Sequence, residues 1–252
     1  MINMLYVDEI IKKALLEDIN YIDVTTDNLI PEDVENKAQL IAKADGVLCG
    51  IDVAFRVFEI LQSDINLIKH INDGEKVKKG DIIADISGKT RAILKAERTA
   101  LNLLQHMSGI ATATNRYVEI VKGTKANIVD TRKTLPGLRA IQKYAVTVGG
   151  GKNHRFNLSD AAMLKDNHID AAGGIKQAVY SLREKIGHMT KIEVEVRDLN
   201  ELRQALDANC DIIMLDNMSP EIMKRAVEIT NGKSVLEASG GITDETLRTV
   251  AE

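Results

Sequence analysis

The sequence has no tryptophan, and its only aromatic residues are five tyrosines and three phenylalanines in 252 positions. So few rings exclude a platform on which successive nucleic-acid bases would stack. Neither sign of charge dominates: 33 Lys+Arg stand against 37 Asp+Glu, a net charge of −4. A general nucleic-acid binder needs a basic face to displace counterions, so that class is excluded as well. The two cysteines, Cys49 and Cys210, match no CxxC-type zinc or redox spacing and read as buried free thiols in a reducing compartment. No apolar run approaches the ~20 residues of a membrane span. The opening MINMLYVDEIIKKALLEDIN has early acids and no basic leader, unlike a signal peptide. A soluble cytoplasmic protein without a nucleic-acid or membrane partner is expected. Its length lies between one large domain and two small ones and buries a sizeable core without covalent staples.

What is present is periodicity of two kinds. Val7, Ile10, Ile11, Ala14 and Leu15 fall on one face of a helix over residues 5–16. Residues 37–49 and 65–71 read as short strands, separated by a helix carrying Val53, Val57, Ile60 and Leu61. The turn Asn72-Asp73-Gly74 and the segment KVKKGDIIADISG predict a second strand pair. Residues 92–122 form a long helical region, predicted to break near Ser108-Gly109. After residue 126 short apolar runs take over: ANIVD, AAMLK, KIEVEV, DIIML and SVLEA. Helical patterns separate the later ones (Ile175, Ala178, Val179, Leu182, Ile186; then Leu199, Leu202, Ala205, Leu206). Strand–helix–strand at that repeat means βαβ units and a parallel sheet.

An open doubly wound sheet and a barrel both fit. Each run ends in polar residues: Asp130 to Lys133, Lys165 to His168, Glu195, Asp216, and Ser239 to Gly241. Barrel sites collect such residues from the C-terminal ends of several strands, whereas an open nucleotide-binding sheet concentrates its signal in one Gly-rich turn. No GxGxxG follows a strand, and the barrel is favoured. In KIEVEV, Glu193 and Glu195 share one face and Ile192, Val194 and Val196 the other, which directs at least one glutamate toward a lumen if the barrel holds.

Residues 128–169 hold seven basic residues (Arg132, Lys133, Arg139, Lys143, Lys152, Arg155, Lys165) against three acids, a local +4, together with His154 and His168. Arg139 and Lys143, spaced i, i+4 on a predicted helix, read as a solvated face. Arg132-Lys133 and His154-Arg155 lie in loops or at element ends and suit an anion with several oxygens. Gly149-Gly150-Gly151 and Ser239-Gly240-Gly241 read as loops offering backbone N–H groups to phosphate. Glu195 and Asp216 suit a divalent metal, sugar hydroxyls or a developing cation. Lys165 also suits a Schiff base, as in barrel aldolases. Spacing alone leaves these chemistries open.

The segment DTRKTLPGLRAIQKYAVTVGGGKNHRFNLSDAAMLKDNHI (130–169) resembles the quinolinate phosphoribosyltransferase family, as do AERTALNLLQHMSGIAT (96–112), IEVEV (192–196), IIMLDN (212–217), LEASGGI (236–242) and the opening LLEDINYIDVTTD (15–27). The resemblance covers nearly the whole chain in order. It implies an α/β fold of the type II phosphoribosyltransferase kind, with an N-terminal α/β sandwich over residues 1–105 and an incomplete α/β barrel over residues 106–252. It implies conversion of quinolinate and phosphoribosyl pyrophosphate to nicotinate mononucleotide, pyrophosphate and carbon dioxide in NAD biosynthesis, with Mg²⁺ as cofactor. The working unit is expected to be a homodimer, or a hexamer of such dimers, with shared active sites.

Carried over by position, the resemblance gives Arg98 the role of reaching a neighbouring subunit's site. Arg132, His154, Arg155 and Lys165 line the quinolinate pocket, and Lys133 lies near the phosphoribosyl donor. Glu195 and Asp216, rather than Glu193, face the ribose hydroxyls and the Mg²⁺-bound pyrophosphate, so that any metal contact is indirect. Ser239 and Gly240 take the 5′-phosphate. Lys133, Lys165, Glu195 and Asp216 are the expected catalytic set. His106 departs from the family pattern and reads as a satisfied helix histidine. The family's pattern continues past residue 252 with a further strand, a glycine-bearing phosphate loop and a tail. Rival readings are a related phosphoribosyltransferase with another acidic acceptor (the kind found beside molybdate-transport genes), a Schiff-base aldolase using Lys165, and, remotely, a carrier module suggested by NDGEKVKKGDIIADISG.

Overall fold

The computed structural model describes residues 2–252, and the chain divides by its contacts into two compact units. The first comprises residues up to Glu119 together with Asn127–His154; the second comprises Ile120–Ala126 and Arg155–Glu252. The boundary expected between residues 105 and 106 lies inside a helix.

In the first unit, α1 (Met4–Asp18) starts where the Asn3 side chain accepts the Leu5 N–H, and it buries Val7, Ile11 and Leu15 along one stripe. Asp23 caps α2 (Val24–Leu29) through the N–H groups of Thr25 and Thr26. There follow β1 (Glu35–Ile41), β2 (Gly46–Val47), α3 (Ile51–Leu61), β3 (Asn66–Lys69), β4 (Lys76–Val77) and β5 (Ile82–Lys89). Residues 37–49 are therefore two strands rather than one. β5 is the centre of an antiparallel sheet of order β1-β5-β3, while β2 pairs with β4 in a separate ribbon. α3 buries Ile51, Val53, Ala54, Val57 and Phe58 in the same core as Ile83, Ala84 and Ile86. The Asp73 carboxylate, in the turn before β4, accepts the Gly50 and Ile51 N–H groups at the start of α3.

The helix α4 (Thr90–Val121) runs for 32 residues without the expected break at Ser108-Gly109. A mid-helix glycine costs about 1 kcal/mol, far less than the packing of this helix returns. Ser108 is spent on the core instead: its Oγ accepts the Cys49 N–H and donates to the Cys49 carbonyl. After α4, ANIVD forms no strand. Its only ladder is one parallel bridge between Val129 and Lys152, because a single residue stands opposite it. α5 (Arg139–Val148) completes the unit, its Tyr144 hydroxyl donating to Asp73 at 2.9 Å.

The second unit alternates β6 (Ala162–Leu164), α6 (Asp166–Ala172), α7 (Ile175–Arg183), β7 (Ile192–Val196), α8 (Leu199–Asp207), β8 (Ile212–Asp216), α9 (Pro220–Thr230), β9 (Val235–Ser239) and α10 (Asp244–Ala251). Its four strands are parallel and lie in the order β6-β7-β8-β9. Sequential order without a reversal is the arrangement of a barrel segment, not of a doubly wound sheet. Leu164, Ile192, Val194, Val196, Ile213 and Leu215 form one core with the apolar stripes of α7, α8 and α9. Full burial of such a side chain contributes about 1.5–3 kcal/mol. The α/β class expected from the sequence is the class found, with an N-terminal sheet domain and a C-terminal parallel one.

Candidate active site

In the second unit, the apolar face of the parallel sheet dictates what the other face carries. Side chains alternate along a strand. With Val194 and Val196 turned toward the helices, Glu193 and Glu195 share the opposite face. The register puts Glu195 beside Met214, Met214 beside Glu237, and Asp216 beside Ser239. Lys165, one residue beyond β6, meets Glu195 at 2.5 Å. Glu193 is 1% exposed, whereas Glu195 lies nearer the open C-terminal end of β7. Thus Lys165, Glu195, Asp216 and Ser239 are brought to one end of one sheet face, as the sequence implied. Glu237 was not singled out beforehand. Its signal was the alternation of Leu236 and Ala238 with Val235, Glu237 and Ser239, blurred by small residues.

The loops around this face are built locally. Asp216 Oδ2 accepts from the Asn217 amide at 3.0 Å. Gly240 has φ +87°, and a Cβ there would collide with the Asn217 side chain, so glycine is required where the β8 and β9 ends approach. Arg155 donates to the Ala161 carbonyl at 3.3 Å and to Met163 Sδ at 3.1 Å. His168 Nδ1 accepts the Lys165 N–H at 3.1 Å and so serves the start of α6.

In the first unit, two sequence readings need correction. Lys143 is not on a solvated face: it is 2% exposed, ion-paired with Asp130, and donates to the His154 carbonyl at 3.1 Å. Arg139 is half-buried, donating to Thr134 Oγ1 at 3.1 Å and to the Arg132 carbonyl at 3.4 Å. Both are drawn inward because the loop after residue 129 has almost no strand pairing and its polar backbone needs partners. The glycine triplet does not offer its N–H groups to a ligand either. Gly149, Gly150 and Gly151 donate to Ala145, Thr147 and Val146 carbonyls, closing the end of α5. Gly149 is there for space, since a Cβ would run into the Ala111 backbone and Thr114 of α4.

Arg132 stands apart. Its Nε is buried without a hydrogen-bond partner, and among the described residues neither Arg132 nor Lys133 has an acidic partner. His154 is half-buried, its N–H donating to Asp130 at 2.8 Å. His106 is half-buried, with Nε2 at 3.0 Å from the Gln142 amide. Arg98 is exposed on α4 beside a groove of about 220 Å³ that Glu17 and Asp18 also line. The ten expected residues divide between the units: Arg98, Arg132, Lys133 and His154 in the first, the remainder in the second. Within the second unit, the strand-end carboxylates Glu195 and Asp216, with Lys165 and the Ser239-Gly240-Gly241 turn, suit a substrate that carries both hydroxyls and phosphate.

Comparison with known proteins gives the same direction. Residues 23–108 match the family described as quinolinate phosphoribosyl transferase, N-terminal domain, and residues 110–252 match its C-terminal domain. The chain is 46% identical to a probable nicotinate-nucleotide pyrophosphorylase [carboxylating] of Methanocaldococcus jannaschii, across 96% of this chain and 87% of that one. It is 41% identical to the protein of the same description from Bacillus subtilis, across 97% and 84% of the two lengths. Among solved structures, NadC from Streptococcus pyogenes matches with a TM-score of 0.95 at 42% identity, covering 98% of this chain and 88% of that one. The nicotinate-nucleotide pyrophosphorylase from Francisella tularensis matches with 0.95 at 41% identity, covering 100% and 89%.

Proposed function

This chain belongs to the quinolinate phosphoribosyltransferase family, and from that membership and the geometry of its strand ends we propose how it performs the family's reaction. The enzyme is a pentosyltransferase of NAD biosynthesis: quinolinate displaces pyrophosphate from phosphoribosyl pyrophosphate and loses a carboxylate, giving nicotinate mononucleotide, pyrophosphate and carbon dioxide. The observation that carries the reading is Arg132, whose Nε is buried without a hydrogen-bond partner among the described residues. Arg132, His154, Arg155 and Lys165 are assigned to the quinolinate carboxylates, with Arg98 from a neighbouring copy, and Lys133 to the donor. Ser239 and Gly240 take the 5′-phosphate at the turn before α10.

The chemistry is largely positioning and electrostatics. The ring nitrogen must be held against the anomeric carbon as pyrophosphate departs. Glu195 and Asp216 face the ribose and stabilise its positive charge as the bond breaks. Once the ring nitrogen is quaternary, the ring itself accepts the electron pair left by departing carbon dioxide. Mg²⁺ takes hard oxygen ligands, and Asp216 and Glu195 are the carboxylates that would hold it, indirectly through the substrate. Bound there through the substrate, it would neutralise charge on the pyrophosphate oxygens. The Schiff-base alternative is set aside on family membership, since both halves of the chain match the quinolinate phosphoribosyl transferase models.

The same proposal includes a homodimer in the cytoplasm. Its support is the apolar surface around α1 and α2, where Leu16, Tyr21, Val24 and Leu29 are each at least 66% exposed. No helix among the described residues is long and apolar enough to cross a membrane. The deciding assay mixes the protein with quinolinate, phosphoribosyl pyrophosphate and Mg²⁺ and follows nicotinate mononucleotide. A folded sample that forms none overturns the functional assignment. For the shared site, mixing Arg98→Ala chains with Lys165→Ala chains should restore part of the lost activity, and a mixture as inactive as its parents refutes it.

A further inference from the structure

The loop 130–135 carries Arg132 and Lys133, yet it belongs to no strand, and the single bridge at Val129 ends before it. What holds it is one face of α5. Arg139, Gln142 and Lys143 lie three and four residues apart on that helix, so they project together. Each reaches a different point of the loop. Lys143 pairs with Asp130 at its start. Arg139 donates to the Arg132 carbonyl at 3.4 Å and to Thr134 Oγ1 at 3.1 Å in its middle. Gln142 Oε1 accepts the Leu135 N–H at 3.0 Å at its end. The Gln142 amide is fixed in turn by His106 of α4, nitrogen to nitrogen at 3.0 Å. Asp130 passes the restraint on: its Oδ1 accepts the His154 N–H at 2.8 Å.

A buried ion pair such as Lys143–Asp130 is a poor source of stability, because desolvating both charges offsets their attraction. Its value lies in specifying one backbone path. We propose that the Arg139/Gln142/Lys143 face of α5, backed by His106, is a positioning device that presents Arg132 to the carboxylated acceptor. None of the three helix side chains is assigned to substrate. The inference rests on the reading of Arg132 as an acceptor ligand, and it explains why a half-buried histidine stands at position 106.

Gln142 allows the cleanest test, because it accepts from a single identifiable amide. Gln142→Leu removes the acceptor, while Gln142→Glu keeps an acceptor oxygen for Leu135 and one for a His106 Nε2–H. Hydrogen exchange on the free protein reads the splint directly. The Leu135 amide should exchange about tenfold faster in Gln142→Leu and near the parent rate in Gln142→Glu. Kinetics read its purpose. The KM for quinolinate should rise about fivefold or more in Gln142→Leu, since small misplacements of a binding group are felt strongly, with the phosphoribosyl pyrophosphate KM within about twofold. Gln142→Glu should restore the quinolinate KM. Unchanged exchange at Leu135, or KM values for both substrates rising together in a folded variant, overturns the proposal. If the unmodified protein forms no nicotinate mononucleotide, the functional reading fails by itself, and the exchange result still decides whether α5 orders the loop. Lys143→Met provides a second variant, expected to free the His154 amide as well.

Discussion

Replacing Arg132 by methionine separates binding from stability more sharply than any other change here. The Arg132 Nε is buried and unpartnered in the free protein. A buried donor left unsatisfied costs about 1–3 kcal/mol. Methionine has similar length and no donor, so Arg132→Met removes that penalty. The backbone bonds of residue 132 remain, since its carbonyl still accepts the Thr134 N–H at 2.9 Å. The free variant should therefore be as stable as the parent or up to about 1 kcal/mol more so, a melting shift between none and about +4 °C for a chain this long. Acceptor binding should suffer in the opposite sense. A charge-assisted bond to a carboxylate is worth about 1.5–3 kcal/mol, or about 10- to 150-fold in the quinolinate KM. The donor KM should stay within about threefold, because another part of the site grips the phosphates. Calorimetry with ligand gives an independent check. Quinolinate at 100 times its dissociation constant adds about 2.7 kcal/mol to the parent and far less to the variant at the same concentration. A melting point lowered by more than about 2 °C, with the quinolinate KM unchanged, would show that Arg132 is a structural residue and refute the reasoning.

Three further outcomes are expected. Burial pushes both thiols up, Cys210 to about 12, so a thiol reagent near neutral pH should find no reactive cysteine in the native protein and both after unfolding; a native-state reaction counts against the packing around Cys49 or Cys210. Gly240→Ala forces a side chain into Asn217 at positive φ and should destabilise by about 1–3 kcal/mol, whereas Gly109→Ala meets nothing within 4 Å on a helix and should stabilise by about 0.5–1 kcal/mol; equal shifts in the two melting curves contradict this contrast. Hydrogen bonds from Arg56 and from Lys95 hold the Asp8 and Asp27 carboxyls below the usual range. Their stabilisation is then present above the unfolded carboxylate range near about 4 and lost as pH falls through the folded values. The urea midpoint should be flat above about pH 5 and fall below it, and Arg56→Ala should shallow that fall; a midpoint that rises on acidification reverses the sign.

Periodic burial was legible in the sequence wherever one element buries one face against one core. The Val7–Ile11–Leu15 stripe and the alternation of KIEVEV are cases, and both became the elements their spacing implied. Position within an element was legible too: residues at strand C-termini gathered where Lys165, Glu195, Asp216 and Ser239 now lie. The α5 face was not legible for a physical reason. A lysine four residues after an arginine has the same pattern whether it meets water or a buried aspartate, and Asp130 lies 13 residues away in a loop. The glycine triplet failed in the same way. Its composition suits an anion nest or a helix end, and only the carbonyls waiting at the end of α5 decide between them. Nor does a lone Ser-Gly pair break a helix when its serine is hydrogen-bonded to a neighbouring backbone.

The local excess of cations at 128–169 acquires a different meaning once each is followed to its partner. Lys143 is bound to Asp130 at 2% and 8% side-chain exposure, and removing one member of such a pair costs about 3–5 kcal/mol, so this charge is not available to a ligand. Lys165 and Glu195 are 48% and 19% exposed, and a pair that wet is worth about 0–1 kcal/mol, little enough for a carboxylated substrate to redirect the lysine. Among the described residues Arg132 and Lys133 have no acidic partner to leave. Cations of the same formal charge thus divide by what they would have to give up. On the proposed reading, those that would lose much set the geometry and those that would lose little bind, so that acceptor recognition would fall to the loop and its precision to the helix that holds it. It also implies that raising ionic strength weakens substrate binding, through the exposed cations, well before it loosens the buried pair that shapes their loop.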